Sequence, residues 1–479
     1  MEYNLKQKLI IALLLFISFY PLIKAQQRVL TLEETINLAI ENNRDVIIAK
    51  LNVEKASAAV DEAFGYALPK VDFSGYYNRF ISKPKTPFPD FEAMLTNATY
   101  ALLFDENVIP RDDNKYLPMT NKLQSFAQTH NWEAKVEVTQ ILFSSAVFRG
   151  IGASKIYLDL AKEQLYSTAS TLTMNVKKAF YGVLLSQKML EIVEASLKNA
   201  EENLANVKSM QKQGFASDFE AMQVEVQVEN IRPQVNEIKN NLKNAQNGLK
   251  LLLGLQQDMD IDVTGEFEYD KTYLPDEETT IEWALRSNYD LRTMDLKMQV
   301  DDEFIALDRA EYYPTLAAFG NYTYSGTGDE FPTQNYSSTA VGLSLSINLF
   351  SGLQTNKRVE QSVIALNQTK EQIKQFKDYL TTQVKGKLLE LQKVNSQYTA
   401  QERNVELAQK AYDLATVRFK ESSGTQLEIK NADIELRTAK TNKIKTIYDF
   451  IIAKAELEQL TGKLDDFVKN KFDNIAAKF

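Results

Sequence analysis

The sequence contains no cysteine and a single histidine, His130, among its 479 residues. The absence of thiols excludes disulfide bonds, cysteine-based metal sites, a thiol nucleophile and a lipid anchor on a cysteine. One imidazole argues against a histidine metal site and against a histidine general base. Glycine (17) and proline (11) are also scarce, which favours a mostly helical chain because both residues interrupt helices.

Motifs of enzymatic chemistry are missing as well. We find no nucleophile elbow, no zinc-binding helix motif and no dinucleotide fingerprint. Gly150, Gly152 and Lys155 lack the spacing of a phosphate loop, so we interpret them as a bend between a strand and a helix. Carboxylate pairs are numerous, but on heptad helices they are typical of solvated faces. The sequence therefore predicts no enzyme and no catalytic, cofactor-binding or metal residues.

The one long apolar run lies at the N-terminus. Leu9–Tyr20 follows a short basic start and precedes Ala25, which predicts a signal peptide at residues 1–25. An uncleaved membrane anchor is the alternative, but the run is short for a spanning helix. The formal net charge of the chain is −9, and an acidic exported protein is a poor partner for nucleic acid.

Two copies of one pattern organise the rest of the chain. Leu142-Phe143-Ser144 ends an alternating segment and reappears 207 positions later as Leu349-Phe350-Ser351. Each of these three-residue motifs precedes a long segment whose apolar residues recur in steps of three and four, which indicates a coiled-coil seam. Earlier in each copy, Asn43 reappears 245 positions later as Asn288. The duplication predicts a mainly α fold with a small β part, in which each copy supplies a strand pair and a long coiled-coil hairpin.

The two copies set the predicted boundaries of the chain. In the first copy a helix is expected from Leu32 to about Ala67, and a short helix near Phe91–Phe104 is expected in the proline-rich loop. The predicted segments are a first structural repeat at 26–254, with strands at 71–80 and 131–143, an extracellular loop at 81–130 and a helical hairpin at 153–254; a connector at 255–278; a second structural repeat at 279–462, with a helix, strands at 315–325 and 338–350 and a helical hairpin at 352–462; and a polar C-terminal tail at 463–479.

The strands alternate between apolar and polar residues. From Thr339 to Leu349 the large apolar side chains fall on one face, and small or polar side chains fall on the other. Four such strands cannot close a barrel within one chain, yet an open sheet edge is not tolerated in a membrane. We therefore expect closure by oligomerisation, with eight strands from two chains or twelve strands and a water-filled lumen from three. A soluble β-sandwich with helical arms is the alternative.

The chain after the signal peptide resembles the outer-membrane efflux proteins of the TolC family. The resemblance implies a homotrimer in the outer membrane, with a 12-stranded β-barrel that continues into a 12-helix periplasmic tunnel. It also implies an exit duct for efflux or secretion that docks on a periplasmic adaptor (membrane fusion) protein and an inner-membrane transporter. A periplasm-spanning coiled-coil tether is the second hypothesis. The resemblance is carried by the duplicated helix starts at Thr31–Ala39 and Ile281–Ala284, the Leu68-Pro69 and Tyr313-Pro314 stops, the Leu-Phe-Ser strand ends and the hairpin tips at Gly214–Glu220 and Gly424–Glu428.

The hairpin tips carry the candidate functional residues. We predict turns at Gly214 and at Ser422–Gly424, and acidic side chains gather beside them. In a threefold assembly each acid would form a ring, and a carboxylate ring in a narrow aqueous constriction favours cations. These side chains could instead only solvate and cap helix ends, an effect of roughly 0.3–1 kcal/mol. The candidate acids are Asp218, Glu220, Glu428 and Asp433.

The resemblance adds expectations about the aperture. The family's aspartate ring falls at Glu428 and Asn431, so the second ring would be uncharged here. The family's tip tyrosine and arginine, which help to lock the closed state, fall at Phe419 and Gly424. Because neither residue can make those bonds, the closed state is expected to be held in a different way or less tightly.

Overall fold

The computed structural model describes residues 28–421 and 423–478. The predicted signal peptide and Ser422 of the second predicted tip lie outside the described residues. The structure is mostly helical with a minor sheet part, as predicted. Its elements are β1 (Arg28–Leu30), α1 (Leu32–Asn42), α2 (Arg44–Gly65), β2 (Lys70–Arg79), β3 (Thr86–Pro89), α3 (Phe91–Asp105), β4 (Asn121–Gln124), β5 (His130–Phe143), α4 (Ser145–Lys212), α5 (Asp218–Leu252), β6 (Ile261–Val263), α6 (Glu277–Ser287), α7 (Tyr289–Arg309), β7 (Thr315–Gly328), β8 (Gln334–Ser346), α8 (Gln354–Lys420), α9 (Gln426–Leu460) and α10 (Asp466–Ala476).

The chain divides into two compact units. The strand unit comprises Asp61–Ile151 and Ile305–Val359, and the helical unit comprises the described residues up to Val60, Gly152–Phe304 and those from Glu360 onwards. No helix among the described residues is long and apolar enough to cross a membrane.

The strand unit is built on an antiparallel sheet with the strand order β2-β5-β7-β8. Its register places Val71, Val138 and Val341 in one row, because Val138 and Val341 both pair with the same glycine of β7. The adjacent row contains Asp72 and Glu137 on the opposite face. The sheet therefore has the predicted apolar and polar faces, and β2 and β8 are its edges within the described part of the chain.

The second strand pair differs in length from the prediction. β7 continues beyond the predicted end at 325, and β8 begins before the predicted start at 338, which leaves a turn at 329–333. Pairing depends on backbone hydrogen bonds, so polar side chains do not end it. In the other direction β8 ends at Ser346 and not at Phe350. Ser346 pairs with Thr315, and the preceding Pro314 has no N–H group that could extend the ladder.

The segment at 81–130 is more structured than the predicted loop. The short helix is present as α3, but the antiparallel pair of β3 and β4 was missed. Pro87 and Pro89 hid the first of these strands, since proline is tolerated only at edges and bulges of a sheet. Asn97 joins α3 to the chain that leads into β4. Its side chain accepts a bond from Leu117 N at 2.7 Å and donates to Leu117 O at 2.8 Å.

The predicted continuous helix from Leu32 is wrong, because an asparagine separates α1 from α2. Asn43 Nδ2 donates to the carbonyl of Leu252 at the end of α5, at 3.0 Å. The second copy repeats this contact at Asn288, which donates to Leu460 O at 3.0 Å. Each asparagine also caps the following helix through its Oδ1 atom. The same polar side chain therefore ends one helix, starts the next and holds the return helix of its copy.

Two glycines complete these junctions. Gly254 and Gly462 follow the return helices with φ angles of 65° and 67°, a left-handed conformation that costs other residues energy. A Cβ atom at either position would overlap the carbonyl oxygen of Asn42 or Ser287. Glycine is therefore required in both copies for two reasons, the backbone conformation and the close approach of a second chain segment.

The predicted connector and tail both contribute to the fold of the helical unit. Within the connector, β6 pairs in parallel with β1. The segment that was predicted only as a polar tail contains α10, whose Val468 and Phe472 are fully buried in the main apolar cluster. Tyr166 OH donates to Asp473 at 2.5 Å and holds this helix. The sequence analysis did not recognise the apolar face of α10, which is formed by Phe467, Val468, Phe472 and Ile475. A helix of 11 residues depends on such tertiary packing for its stability.

Candidate functional site at the hairpin tips

The first hairpin tip is a tight connection between α4 and α5. Gly214 has a φ angle of 80°, and Phe215 N donates to Met210 O at 2.9 Å, which closes the end of α4. Ser217 then caps α5 by accepting a bond from Glu220 N at 3.2 Å. In return, Glu220 Oε2 accepts a bond from Ser217 N at 2.8 Å. Glu220 is therefore part of a capping box.

The second acid of this tip also serves its local structure. Asp218 lies in the first turn of α5, where a negative charge is favoured by the helix dipole. Its Oδ1 atom accepts a bond from Gln211 Nε2 at 2.7 Å, which joins the two helices of the hairpin. The contacts of Asp218 and Glu220 favour the capping role over a role in an ion-selective ring.

The second tip contains an ion pair that the sequence analysis did not identify. Thr425 Oγ1 accepts a bond from Glu428 N at 3.3 Å and caps α9. Arg418 NH1 lies 3.5 Å from Glu428 Oε2, and Arg418 NH2 donates to Ser423 O at 3.1 Å. A guanidinium is therefore present at this tip, although it comes from α8 and not from the position of Gly424. Arg418 and Glu428 lie on different helices, so no helical spacing in the sequence predicts that they pair.

Gly424 is packed between these groups. A Cβ atom at this position would lie 3.0 Å from Arg418 Cβ and 3.1 Å from Glu428 Oε2. Distances in this range require the neighbouring atoms to shift, so a larger side chain would disturb the ion pair. Gly424 therefore leaves room for Arg418 to approach Glu428.

Phe419 is buried and does not face solvent. Its side chain is 8% exposed, in a cluster that joins α4, α5, α8 and α9. The cluster is made by Val207, Ala221, Val224, Ala415, Phe419 and Ile429. Phe419 therefore anchors the second tip to the first hairpin by apolar contact.

The two remaining candidates on α9 have different surroundings. Asn431 is exposed, whereas Asp433 is only 5% exposed. Asp433 Oδ2 accepts a bond from Ser196 Oγ at 2.7 Å and lies 3.2 Å from Arg437 Nε. Burial raises the pKa of the Asp433 carboxyl, against the opposing effects of Ser196 and Arg437. Asp433 thus does not join the other acids in one exposed group within the protomer, contrary to expectation.

An apolar groove lies beside the tips on α5 and α9. Its volume is about 280 Å³, and exposed Phe219, Met222 and Leu427 line it. Buried Gln227 and Gln426 also line the groove. Exposed apolar side chains in a concave surface are typical of a contact with another protein. In the described part of the chain, no group of three or more His, Asp or Glu side chains could hold a metal ion.

Comparison with known families and sequences gives consistent matches. The family model described as outer membrane efflux protein matches residues 35–255 and 280–463. The chain is 21% identical over 338 residues to outer membrane protein TolC of Vibrio cholerae serotype O1, which covers 70% of this chain and 77% of that protein. It is 22% identical over 348 residues to alkaline protease secretion protein AprF of Pseudomonas aeruginosa, with 70% of each covered.

Solved structures show the same fold at low sequence identity. The Campylobacter jejuni CmeC outer membrane channel superposes with a TM-score of 0.70 and 14% identity, over 93% of this chain and 89% of that one. The open state of the Neisseria gonorrhoeae MtrE outer membrane channel gives a TM-score of 0.67 and 14% identity, over 90% and 89% of the two chains.

Proposed function

The chain belongs to the outer membrane efflux protein family, and from this membership we propose that it is the exit channel of an efflux or secretion system. It is an outer membrane protein and not an enzyme. The channel would be a homotrimer that passively conducts substrates from an inner-membrane transporter, which reach it through a periplasmic adaptor. The substrate would be selected by the transporter and not by this chain.

The open four-stranded sheet is the observation that carries this proposal. Its edges, β2 and β8, each have one partner in the described protomer, and unpaired edges are not stable in lipid. Joining β8 of one copy to β2 of the next would close twelve strands from three copies, enough for a water-filled lumen. The row of Val71, Val138 and Val341 would then face lipid, and the row of Asp72 and Glu137 would face water.

The helical hairpins support a tunnel across the periplasm. α4 has 68 residues and α8 has 67, and at 1.5 Å per residue each helix is roughly 100 Å long. With α5 and α9, each protomer supplies four helices to the proposed set of twelve. The apolar groove at Phe219, Met222 and Leu427 supports adaptor docking at the tips. The segment at 81–130, which follows the C-terminal end of β2, would be extracellular.

At the aperture we assign different roles to the candidate residues. Glu428 is half exposed beside Arg418, so its threefold repetition would form the charged ring, with Asn431 as an uncharged ring beyond it. Asp218 and Glu220 would mainly stabilise the first tip. A carboxylate ring of this kind would make the channel prefer cations.

The test is electrical recording from the purified protein in planar bilayers. A protein that migrates as a trimer in detergent and produces discrete conductance steps is expected. Arg418→Gln should loosen the second tip and increase the conducting fraction, whereas Arg403→Gln, on the same helix but paired with Glu406, is the matched control. A trimer that never conducts, even with Arg418→Gln, would favour the coiled-coil tether. A monodisperse monomer with intact strands would contradict the shared barrel.

A further inference from the structure

The segment at 81–130, which we call the insertion, carries a helix with two apolar faces. The inner face of α3 contains Ala93 and Phe104, which are 1% and 7% exposed. Phe104 meets the ring of Tyr116 edge-on, with the ring centroids 5.8 Å apart, and Asn97 is bonded as described above. These contacts fix the rotation of α3 about its own axis, and they therefore also fix which side chains point away from the insertion.

The outer face of α3 is a second apolar stripe. Phe91, Leu95, Ala98 and Leu102 follow one another in steps of four, three and four, which is the spacing of a coiled-coil seam. All four residues are exposed, Leu95 to 70% and Leu102 to 63%. Exposed apolar side chains that form a continuous surface are typical of a contact with another molecule. We call these four side chains the α3 stripe.

The charges of α3 argue against a lipid surface as the partner. Helices that lie on a membrane carry lysine and arginine on their polar face, whereas α3 has neither and carries Glu92 and Asp105. Its N-cap is a third acid, Asp90, and the nearby Lys122 is paired with this carboxylate at 2.5 Å. Anionic lipid headgroups repel an acidic helix. The α3 stripe is therefore better suited to a protein partner.

The flanks of the stripe suit a second copy of the same helix. Glu92 and Thr99 lie on one side of it, and Met94 and Ala101 lie on the other. In a parallel bundle each helix sets one flank against the opposite flank of its neighbour. The acidic side would therefore meet an uncharged side and not another acid. Asp105 occupies the next position of the seam and ends the stripe at the last residue of α3.

The root of the insertion is attached to both strand pairs. Arg79 and His130 form the last pair of β2 and β5. Asp329, in the turn between β7 and β8, accepts bonds from Thr129 N at 2.9 Å and from Thr129 Oγ1 at 2.7 Å, and it pairs with Lys83. The insertion is therefore fixed at one end of the sheet. In a closed threefold barrel, symmetry places three insertions at the same height around one axis.

We infer that the α3 stripe is a self-association surface, and that its partner is the same stripe on the other copies of this chain. Three α3 helices would form a parallel bundle on the threefold axis, at the extracellular end of the proposed barrel. Because the barrel already holds the copies together, the stripes meet at a high effective concentration, so a short seam is enough for them to associate. This inference rests on the proposed channel function.

The first test is disulfide formation between copies. The chain has no native cysteine, so Leu95→Cys introduces the only thiol of each chain. Oxidation of the protein in lipid vesicles should join two of the three chains of each trimer, which a denaturing gel without reductant shows as a dimer. Thr96→Cys is the matched control. Thr96 is half exposed and lies about 100° further round the helix, so its thiol should remain unpaired and react with a maleimide.

A charge in the stripe separates a specific contact from random collision. Leu95→Asp should abolish the disulfide that Ala98→Cys forms, because association would then bury unpaired carboxylates. Thr96→Asp should leave the disulfide of Ala98→Cys intact. Leu95 is exposed in the protomer, so the Leu95→Asp chain should still fold and assemble through its strands.

The outcomes separate the two proposals. If the wild type is a conducting trimer but Leu95→Cys gives no more dimer than Thr96→Cys, or Leu95→Asp leaves the disulfide of Ala98→Cys intact, the stripe does not join the copies. A bimane label on the Leu95→Cys thiol that brominated lipid quenches would then assign the stripe to the membrane, and an unquenched label would assign it to a different protein. If the wild type neither migrates as a trimer nor conducts, the proposed channel function itself is wrong.

Discussion

An arginine at Val341 should destabilise the assembled channel, whereas an arginine at the neighbouring Ala340 should be tolerated. Val341 lies near the middle of β8 (Gln334–Ser346), and its side chain is 83% exposed in the protomer. It shares its face with Val138, and we propose that this face contacts lipid. Ala340 points to the opposite face, in the row that contains Glu137.

The size of the effect follows from the depth of the position. A charged side chain on the lipid face of a barrel costs about 2–4 kcal/mol at the centre of the bilayer. Three copies carry the substitution, so the free energy of unfolding of the trimer should fall by roughly 6–12 kcal/mol if the sites are independent. At Ala340 the guanidinium would remain in lumen water, and a change within about 0.5 kcal/mol per site is expected.

The measurement is a denaturant titration of the purified protein in lipid vesicles. Trimer migration on gels reports assembly, and the fluorescence of Trp132 in β5 reports unfolding of the sheet once Trp283 of α6 is replaced by phenylalanine in all variants. Equal losses for Val341→Arg and Ala340→Arg would refute the assignment of the two faces. A larger loss for Ala340→Arg would reverse it.

Three further predictions concern the helical unit. Glu428→Gln should reduce cation selectivity in single-channel recordings at low salt, and equal selectivity in this variant and the wild type would leave Glu428 only a structural role. Glu220→Gln should leave selectivity unchanged and lower stability by at most roughly 0.3–1 kcal/mol, because glutamine also completes the capping box and only the interaction of the charge with the helix dipole is lost. Gly462→Ala should lower the melting temperature, because the positive φ alone costs about 1–2 kcal/mol before the overlap with Ser287 is counted, and an unchanged melting temperature would contradict this junction. Burial raises the pKa of the Asp433 carboxyl in the folded state above its ordinary value of 3.8. Between the pKa of the unfolded state and that of the folded state, the folded protein keeps a proton that the unfolded chain has released. The contribution of Asp433 to stability therefore falls as the pH rises through this window. Asp433→Asn should flatten the dependence of the melting temperature on pH across this window, and an unaltered slope would assign it to other groups.

Local periodicity was enough to predict the main architecture. The seams of α4 and α8 and the alternation in β8 are visible in the sequence because each depends on neighbours within a few residues. The duplication of Asn43 as Asn288 was also visible, but its meaning was not. Only the structure showed that each asparagine interrupts a helix by bonding the end of a return helix about 200 residues away along the chain in the first copy and about 170 in the second.

The candidate site was predictable only in outline. The positions of the tips followed from Gly214 and Gly424, but the partners of their acids did not. Whether a carboxylate such as Asp433 is buried depends on the register between α4 and α9, which are more than 200 positions apart at this contact. The pairing of Arg418 with Glu428 likewise depends on the shape of a turn. Sequence patterns specify which face of a helix is apolar, whereas the packing of distant helices decides which polar groups meet, because that choice is made by the whole interface and not by neighbours in the chain.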